Sequence, residues 1–209
     1  DGKHYILNGQ KMWITNAGFA NLHTVFAKID DDKNLSAFLV EADSEGITLN
    51  AEEKKLGIKG SSTVQVFFND CAVPVENMLS ERGKGFKIAL NILNSGRIKL
   101  AAGTTGGSKF ALTKAVQYAI EREQFGVSIA SFGAMKFKIA EMSTKTFCTD
   151  SAVYRTGRNI DLKTEEFLKE GLSGGESKLK ALREFAIECA ILKVKGSDNL
   201  DFCVDEALQ

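Results

Sequence analysis

The period of apolar positions along the 209 residues changes once, near Gly85. Before that point apolar and polar residues alternate in short runs, the period of strands whose successive side chains face opposite ways. Residues 3–7 and 10–15 read as two strands joined by a tight turn at Asn8-Gly9, a pair that tolerates positive φ. Strands at 22–29, 35–41, one opening at Gly46, and one at 63–68 follow. In the last, Val64, Val66 and Phe68 fall on one face and Thr63, Gln65 and Phe67 on the other. Five or six antiparallel strands of this kind bury their apolar sides only by curling or by packing face to face. Gly57 and Gly60 around Ile58-Lys59 read as a turn. Pro74, the only proline, marks the exit from the sheet region, because it donates no ladder bond and keeps its predecessor out of helix.

From Gly85 the period becomes 3.6. Phe86, Leu90, Leu93 and Arg97 share one face of a first helix, which a small-residue junction separates from a second at 107–123. That second helix is expected to bury Phe110, Leu112, Ala115, Val116, Ala119 and Ile120. A third, from about 132 to 154, carries Met135, Ile139 and Met142 on one stripe. The polar, charged stretch from Asp161 to Gly174-Gly175 reads as an exposed loop. A fourth helix at 176–195 lines up Leu179, Leu182, Ala186 and Cys189; Gly196 is expected to end it, and a fifth begins at Asn199. Ser108, Thr113, Ser128 and Ser131 offer turn or cap hydroxyls. Strands first and helices afterwards give an α+β architecture: an antiparallel β domain, a curled sheet or sandwich, over 1–80, then an antiparallel helical bundle over 81–209. Neither end carries a start or stop signal, so both domains are expected to be truncated at their outer ends.

Lys+Arg is 27 and Asp+Glu is 27, with the cations interleaved among acids and apolar residues rather than gathered into a stripe. That argues against a nucleic-acid partner. Cys71, Cys148, Cys189 and Cys203 form no C-x-x-C; the last three lie in apolar helical stretches and read as buried free thiols in a reducing compartment. No apolar run approaches the ~18 residues of a membrane span, and no signal-peptide pattern opens the chain. There is no G-x-G-x-x-G, no phosphate-loop ending in the glycine-rich runs 103–108 and 171–178, no G-x-S-x-G, and no metal motif around His4 or His23. Trp13, the only tryptophan, stands beside Ile14-Thr15-Asn16 at a strand end. It can stack on a planar ligand while Thr15 donates a hydrogen bond, or it can anchor the core, which composition alone favours. Arg97, alone on an apolar helix face, needs a partner, either a structural carboxylate or a ligand phosphate. Arg122, just before Gln124-Phe125-Gly126, suits a phosphate or carboxylate as well as a plain surface position.

Six segments occur in one order: LNGQKMWITN at 7–16, KLGIKGSSTVQVFFND at 55–70, VPVENML at 73–79, GKGFKIALNILNSGR at 83–97, YAIEREQFG at 118–126 and VDEALQ at 204–209. On these residues the chain resembles the acyl-CoA dehydrogenases across nearly its whole length, except from Asp161 to about Leu182. NILNSGR, with Gly133 in ASFGAMKFKIAEM, looks most like the very-long-chain branch. The resemblance implies part of a middle β domain followed by part of a C-terminal helical domain. It implies an FAD-dependent oxidoreductase of fatty acid β-oxidation that converts an acyl-CoA thioester to the trans-2-enoyl-CoA. Electrons would pass to an electron-transferring flavoprotein, and a homodimer or higher oligomer would share the cofactor site.

Residue by residue, the resemblance makes Trp13 and Ile14 a wall beside the isoalloxazine ring at the rim of the sheet, with Thr15 donating to the flavin's reactive nitrogen region. Arg122, Gln124 and Phe125 would reach the FAD pyrophosphate and adenine side in a neighbouring subunit, and Gln209 would contact the cofactor. Asn94 and Arg97 would meet the CoA portion of the substrate. No catalytic residue is assigned. The family's base glutamate is expected beyond residue 209, and the position before the arginine, where a minority carry it, is Gly96; this chain alone is therefore expected not to turn over. Two other readings are a non-catalytic binding or assembly fragment and a related flavoenzyme oxidase acting on another substrate. The compartment implied is the cytoplasm of a bacterium or the mitochondrial matrix of a eukaryote.

Overall fold

The computed structural model describes residues 2–209; Asp1, the first residue of the expected β domain, lies outside them. The chain divides into two compact units, Asp1–Ala89 and Leu90–Gln209.

In the first unit, β1 (His4–Thr15), β5 (Thr63–Pro74) and β4 (Ile47–Leu49) form one antiparallel sheet. A second antiparallel sheet contains β2 (Leu22–Ala27), β3 (Ser36–Glu41) and β6 (Met78–Leu79). The two sheets share one apolar core, with Phe38, Val40, Val66, Cys71 and Val73 fully enclosed. Val64, Val66 and Phe68 all point into it, as their alternation requires.

The hairpin expected at Asn8-Gly9 does not form. β1 runs straight through, and its register against β5 slips between Leu7↔Cys71 and Gly9↔Phe68, so Asn69 and Asp70 (φ 50°) of β5 form a β-bulge opposite Asn8. Asn8 seals the bulge. Its Oδ1 accepts from the Asp70 N–H at 2.8 Å, and its Nδ2 donates to the Asp70 carboxylate at 2.9 Å. Asn8-Gly9 makes no turn because the strand paired with β1 is β5, some sixty residues downstream, rather than an adjacent one.

The helical region consists of α1 (Gly85–Glu121), a small hairpin of β7 (Glu123–Gln124) and β8 (Val127–Ser128), α2 (Gly133–Lys169), α3 (Gly174–Glu184) and α4 (Ala186–Leu208). At the start of α1, Gly85 donates to the Leu35 carbonyl at 2.7 Å, and a Cβ there would lie 2.7 Å from the Ser36 backbone. Four helices replace the five expected. The small residues around Gly103 do not interrupt α1. α2 continues to Lys169, leaving only 170–173 of the stretch read as loop outside a helix before α3, because Thr156, Ile160 and Phe167 keep a buried stripe while Lys163 pairs with Glu166 and Glu184. The break between α3 and α4 falls at Phe185, and Gly196 lies buried inside α4, where an added Cβ would meet Thr104 and Ala101 of α1.

Several burial expectations are also corrected. Phe110, Ile120 and Leu179 are exposed, since the packed faces of α1 and α3 run through Ala111, Ala119, Ala181 and Leu182 instead. Cys148 is exposed, unlike Cys189 and Cys203, and all four cysteines are free thiols. Ser128 does cap: its hydroxyl accepts from the Ala130 N–H and donates to the Ala119 carbonyl at the end of α1. Ser108 and Thr113 instead bond back to carbonyls within α1. Glu206 is ion-paired with Lys138.

Candidate functional site

In the β unit the interest concentrates at the end of β1. A second register slip lies between Lys11↔Val66 and Ile14↔Val64, so Met12 and Trp13 together oppose Gln65. This bulge turns Trp13 to φ 56° and leaves its side chain 69% exposed. The core-anchor reading of Trp13 is thereby excluded. Ile14 is half-buried, and Thr15 is exposed with a hydroxyl that bonds no other described residue. The indole and this hydroxyl lie two residues apart on the exposed strand end. Asn16, at φ 67°, ends the strand and donates to the Ser62 carbonyl at 3.1 Å.

Sequence reasoning missed what surrounds this strand end. Glu52 accepts from the Ser62 hydroxyl at 2.6 Å and from the Thr63 N–H at 2.8 Å. These two bonds, then the charge of Lys55, hold the Glu52 carboxyl below its ordinary value. Lys55 donates to the Ser61 carbonyl and, at 3.0 Å, to the Thr63 hydroxyl. Gly18 lies against the same group; a Cβ there would come within 2.6 Å of the Ser62 oxygen. Glu52 and Lys55 are three apart, but their partners lie six to eleven residues on, in a stretch that reads only as a glycine turn.

In the helical unit, Asn94 is buried at 7% exposure, and its Oδ1 accepts from Arg97 Nη1 at 3.0 Å. No carboxylate among the described residues pairs with Arg97, which removes the structural salt bridge as its explanation. The guanidinium is felt at Cys189: burial foremost, with the charge of Glu188, raises that thiol's pKa, and Arg97 opposes the shift. Gly96 is exposed, and an added Cβ would meet nothing within 4 Å.

Arg122, Gln124 and Phe125 come together on the exposed β7–β8 hairpin. Its two turn residues, Phe125 (φ 54°) and Gly126 (φ 79°), both lie in the left-handed region, as a two-residue hairpin of this twist demands. A phenylalanine in that conformation is uncommon. Its ring is 93% exposed and meets Phe132 edge-on at 6.3 Å. The Arg122 guanidinium has no ion pair among the described residues. Gln209 stands apart at the end of α4, exposed, with its N–H on the Asp205 carbonyl. Among the described residues no cluster of His, Cys, Asp and Glu could hold a metal, and no helix is long and apolar enough to cross a membrane.

Residues 1–71 match the family model "Acyl-CoA dehydrogenase, middle domain", and residues 83–209 match "Acyl-CoA dehydrogenase, C-terminal domain". Over 208 residues the chain is 46% identical to a probable acyl-CoA dehydrogenase of Bacillus subtilis (strain 168), covering 100% of this chain and 35% of that protein. It is 40% identical over 216 residues to the mitochondrial very long-chain specific acyl-CoA dehydrogenase of Rattus norvegicus, covering 100% of this chain and 30% of that one. A solved structure of an acyl-CoA dehydrogenase complexed with FAD from Bacillus anthracis matches with a TM-score of 0.90 at 46% identity, over 100% of this chain and 36% of that chain. The chain thus spans 35% and 30% of the length of these two curated relatives. With a family model matching more than half its residues, the chain belongs to the acyl-CoA dehydrogenase family.

Proposed function

We propose that this chain serves an FAD-dependent dehydrogenation of a long-chain acyl-CoA thioester to its trans-2-enoyl-CoA, with an electron-transferring flavoprotein as electron acceptor and a homodimer or higher oligomer as the working form. The observation that carries the reading is the end of β1, where an exposed planar indole lies two residues from an exposed hydroxyl that bonds no other described residue. That pair fits an isoalloxazine: Trp13 supplies apolar contact and excludes water, Ile14 backs the strand, and Thr15 donates a hydrogen bond to the ring. When bound, FAD supplies the acceptor for the hydride leaving the substrate's β-carbon.

The remaining roles belong to this chain's cations and amides. Asn94 orients Arg97, which offers its other N–H groups to a phosphate of the CoA moiety. Arg122 can serve the pyrophosphate in the same way, with Gln124 and Phe125 beside it and Gln209 as a further cofactor contact. Proton abstraction needs a carboxylate over the substrate's α-carbon, and none is assigned in this chain; Gly96 offers open space where a side chain would project. The cytoplasm of a bacterium or the mitochondrial matrix of a eukaryote suits such an activity.

The test uses the 209-residue chain with FAD, palmitoyl-CoA and a dye acceptor. FAD is expected to quench Trp13 fluorescence at high concentration, with no flavin bleaching. Bleaching would overturn the absence of a base, and an unquenched Trp13 at saturating FAD would overturn the flavin wall.

A further inference from the structure

The strand end that carries Trp13 and Thr15 is held in an unfavourable backbone shape. Trp13 and Asn16 both have left-handed φ values, 56° and 67°; asparagine adopts this region readily, but a tryptophan does so only where its surroundings enforce it. The enforcement comes from the opposite strand. Thr15 faces Thr63, and Asn16 donates to the Ser62 carbonyl. Every polar group of Thr63 is taken up on the side away from β1: its N–H by Glu52, its carbonyl by the Glu53 N–H at 2.9 Å, and its hydroxyl by Lys55. Thr15 and Thr63 are therefore a non-hydrogen-bonded pair, the kind in which opposed side chains approach most closely. Ser62, the residue that receives Asn16, has its hydroxyl on Glu52, and Lys55 takes the carbonyl of Ser61. Gly18, just past the strand end, packs on the Ser62–Glu52 pair with no space for a Cβ.

We infer that Glu52 and Lys55 are positioning residues: together they clamp Ser61–Thr63 and so impose on Trp13–Asn16 the shape that presents the indole and the Thr15 hydroxyl. The assignment of that shape to flavin binding rests on the function proposed above; the clamp itself does not. Glu52 accepts from one side of Thr63 while Lys55 donates to its side chain, so removing either frees a different part of the segment. Both losses converge on the same strand end.

Trp13 is the only tryptophan in the chain, so its fluorescence reads this strand end alone. The test compares the 209-residue chain with Glu52→Ala and Lys55→Met, using acrylamide quenching of Trp13 and the amide resonances of Thr15 and Asn16 without ligand. Far-UV circular dichroism checks that each variant is folded. Both variants are expected to change the quenching constant by about twofold and to shift the two amides. Lys55→Arg, which can still donate to both acceptors, should restore the parent values. So should Glu52→Gln, whose carboxamide can serve Thr63 while the Ser62 hydroxyl turns to accept. A buried-core effect alone would not be rescued in this way, and if Glu52→Ala fails to fold, the Lys55 pair decides. Unchanged quenching and amide shifts in folded Lys55→Met would overturn the inference. Titration with FAD then separates the two ideas. Where FAD quenches the parent, both clamp variants should bind it about tenfold more weakly. If FAD quenches none of the proteins while the clamp variants still shift Trp13, the clamp stands and the flavin assignment falls.

Discussion

Arg97 shows how a single side chain can narrow a function. A half-buried guanidinium is expensive to leave unpaired, yet its only side-chain partner among the described residues is a neutral, buried Asn94 at 3.0 Å. Asn94 fixes the direction of the guanidinium without neutralising it, so the charge remains available to an anion. Arg97→Ala should therefore weaken binding of CoA, measured calorimetrically on this chain, by tenfold or more, since a charge-assisted hydrogen bond contributes roughly 1.5–3 kcal/mol. Asn94→Ala should weaken it less, because it removes only orientation. His23 gives a second residue-scale prediction. Its Nε2 is buried with no hydrogen-bond partner among the described residues, and burial lowers its pKa below 6.5. The unfolded chain then binds the proton more readily than the folded one, so stability is full above about pH 6.5 and falls as pH drops through the folded pKa. Urea midpoints followed by Trp13 fluorescence should decline from pH 7.5 to pH 5.5, and His23→Leu should flatten that decline.

The helices show which glycines matter for packing. Gly103 of α1 is exposed, and an added Cβ would meet nothing within 4 Å. Gly103→Ala should stabilise the helix by about 0.5–1 kcal/mol. Gly196 of α4 would put a Cβ 2.6 Å from Thr104 Oγ1 and 3.2 Å from the Ala101 backbone of α1, so Gly196→Ala should cost about 1–3 kcal/mol of overpacking. Helical circular dichroism in guanidinium would give opposite shifts for the two. The same elements show what sequence could reveal. The strand positions, the alternation of 63–68 and the change from sheet to helix were legible, because each depends on local period. Asn8-Gly9 was misread because a hairpin signature is local while the pairing of β1 with β5 is not. The extent of α2 was hidden because its polar half is stabilised by Lys163 and a buried stripe rather than by composition. The exposure of Trp13 depends on a bulge opposite Gln65, and the Glu52–Lys55 clamp closes across a loop. Neither leaves a short-range mark.

At the scale of the whole chain, charge and exposed surface point the same way. Lys+Arg and Asp+Glu balance at 27 each, so near neutral pH nothing repels one copy from another. The helical unit meanwhile leaves large apolar side chains on its surface: Phe110 and Tyr118 on α1, Phe147 and Tyr154 on α2, Ile187 and Leu208 on α4. Scattered single apolar residues are ordinary, but this many large ones on long helices is more than a stable monomer usually exposes. The isolated chain should accordingly self-associate. Sedimentation velocity at pH 7 and tens of micromolar should give a weight-average mass above the 22.8 kDa of one chain and rising with concentration. Raising the pH to 9 adds net negative charge and should shift the distribution toward monomer, most clearly at low salt where the repulsion is unscreened. Phe147→Glu places a charge on one of the exposed faces and should do the same at pH 7 without changing helical content. A single 22.8 kDa species at every concentration would mean these faces stay solvated, and the oligomer in the proposed function would then have to be built from other surfaces.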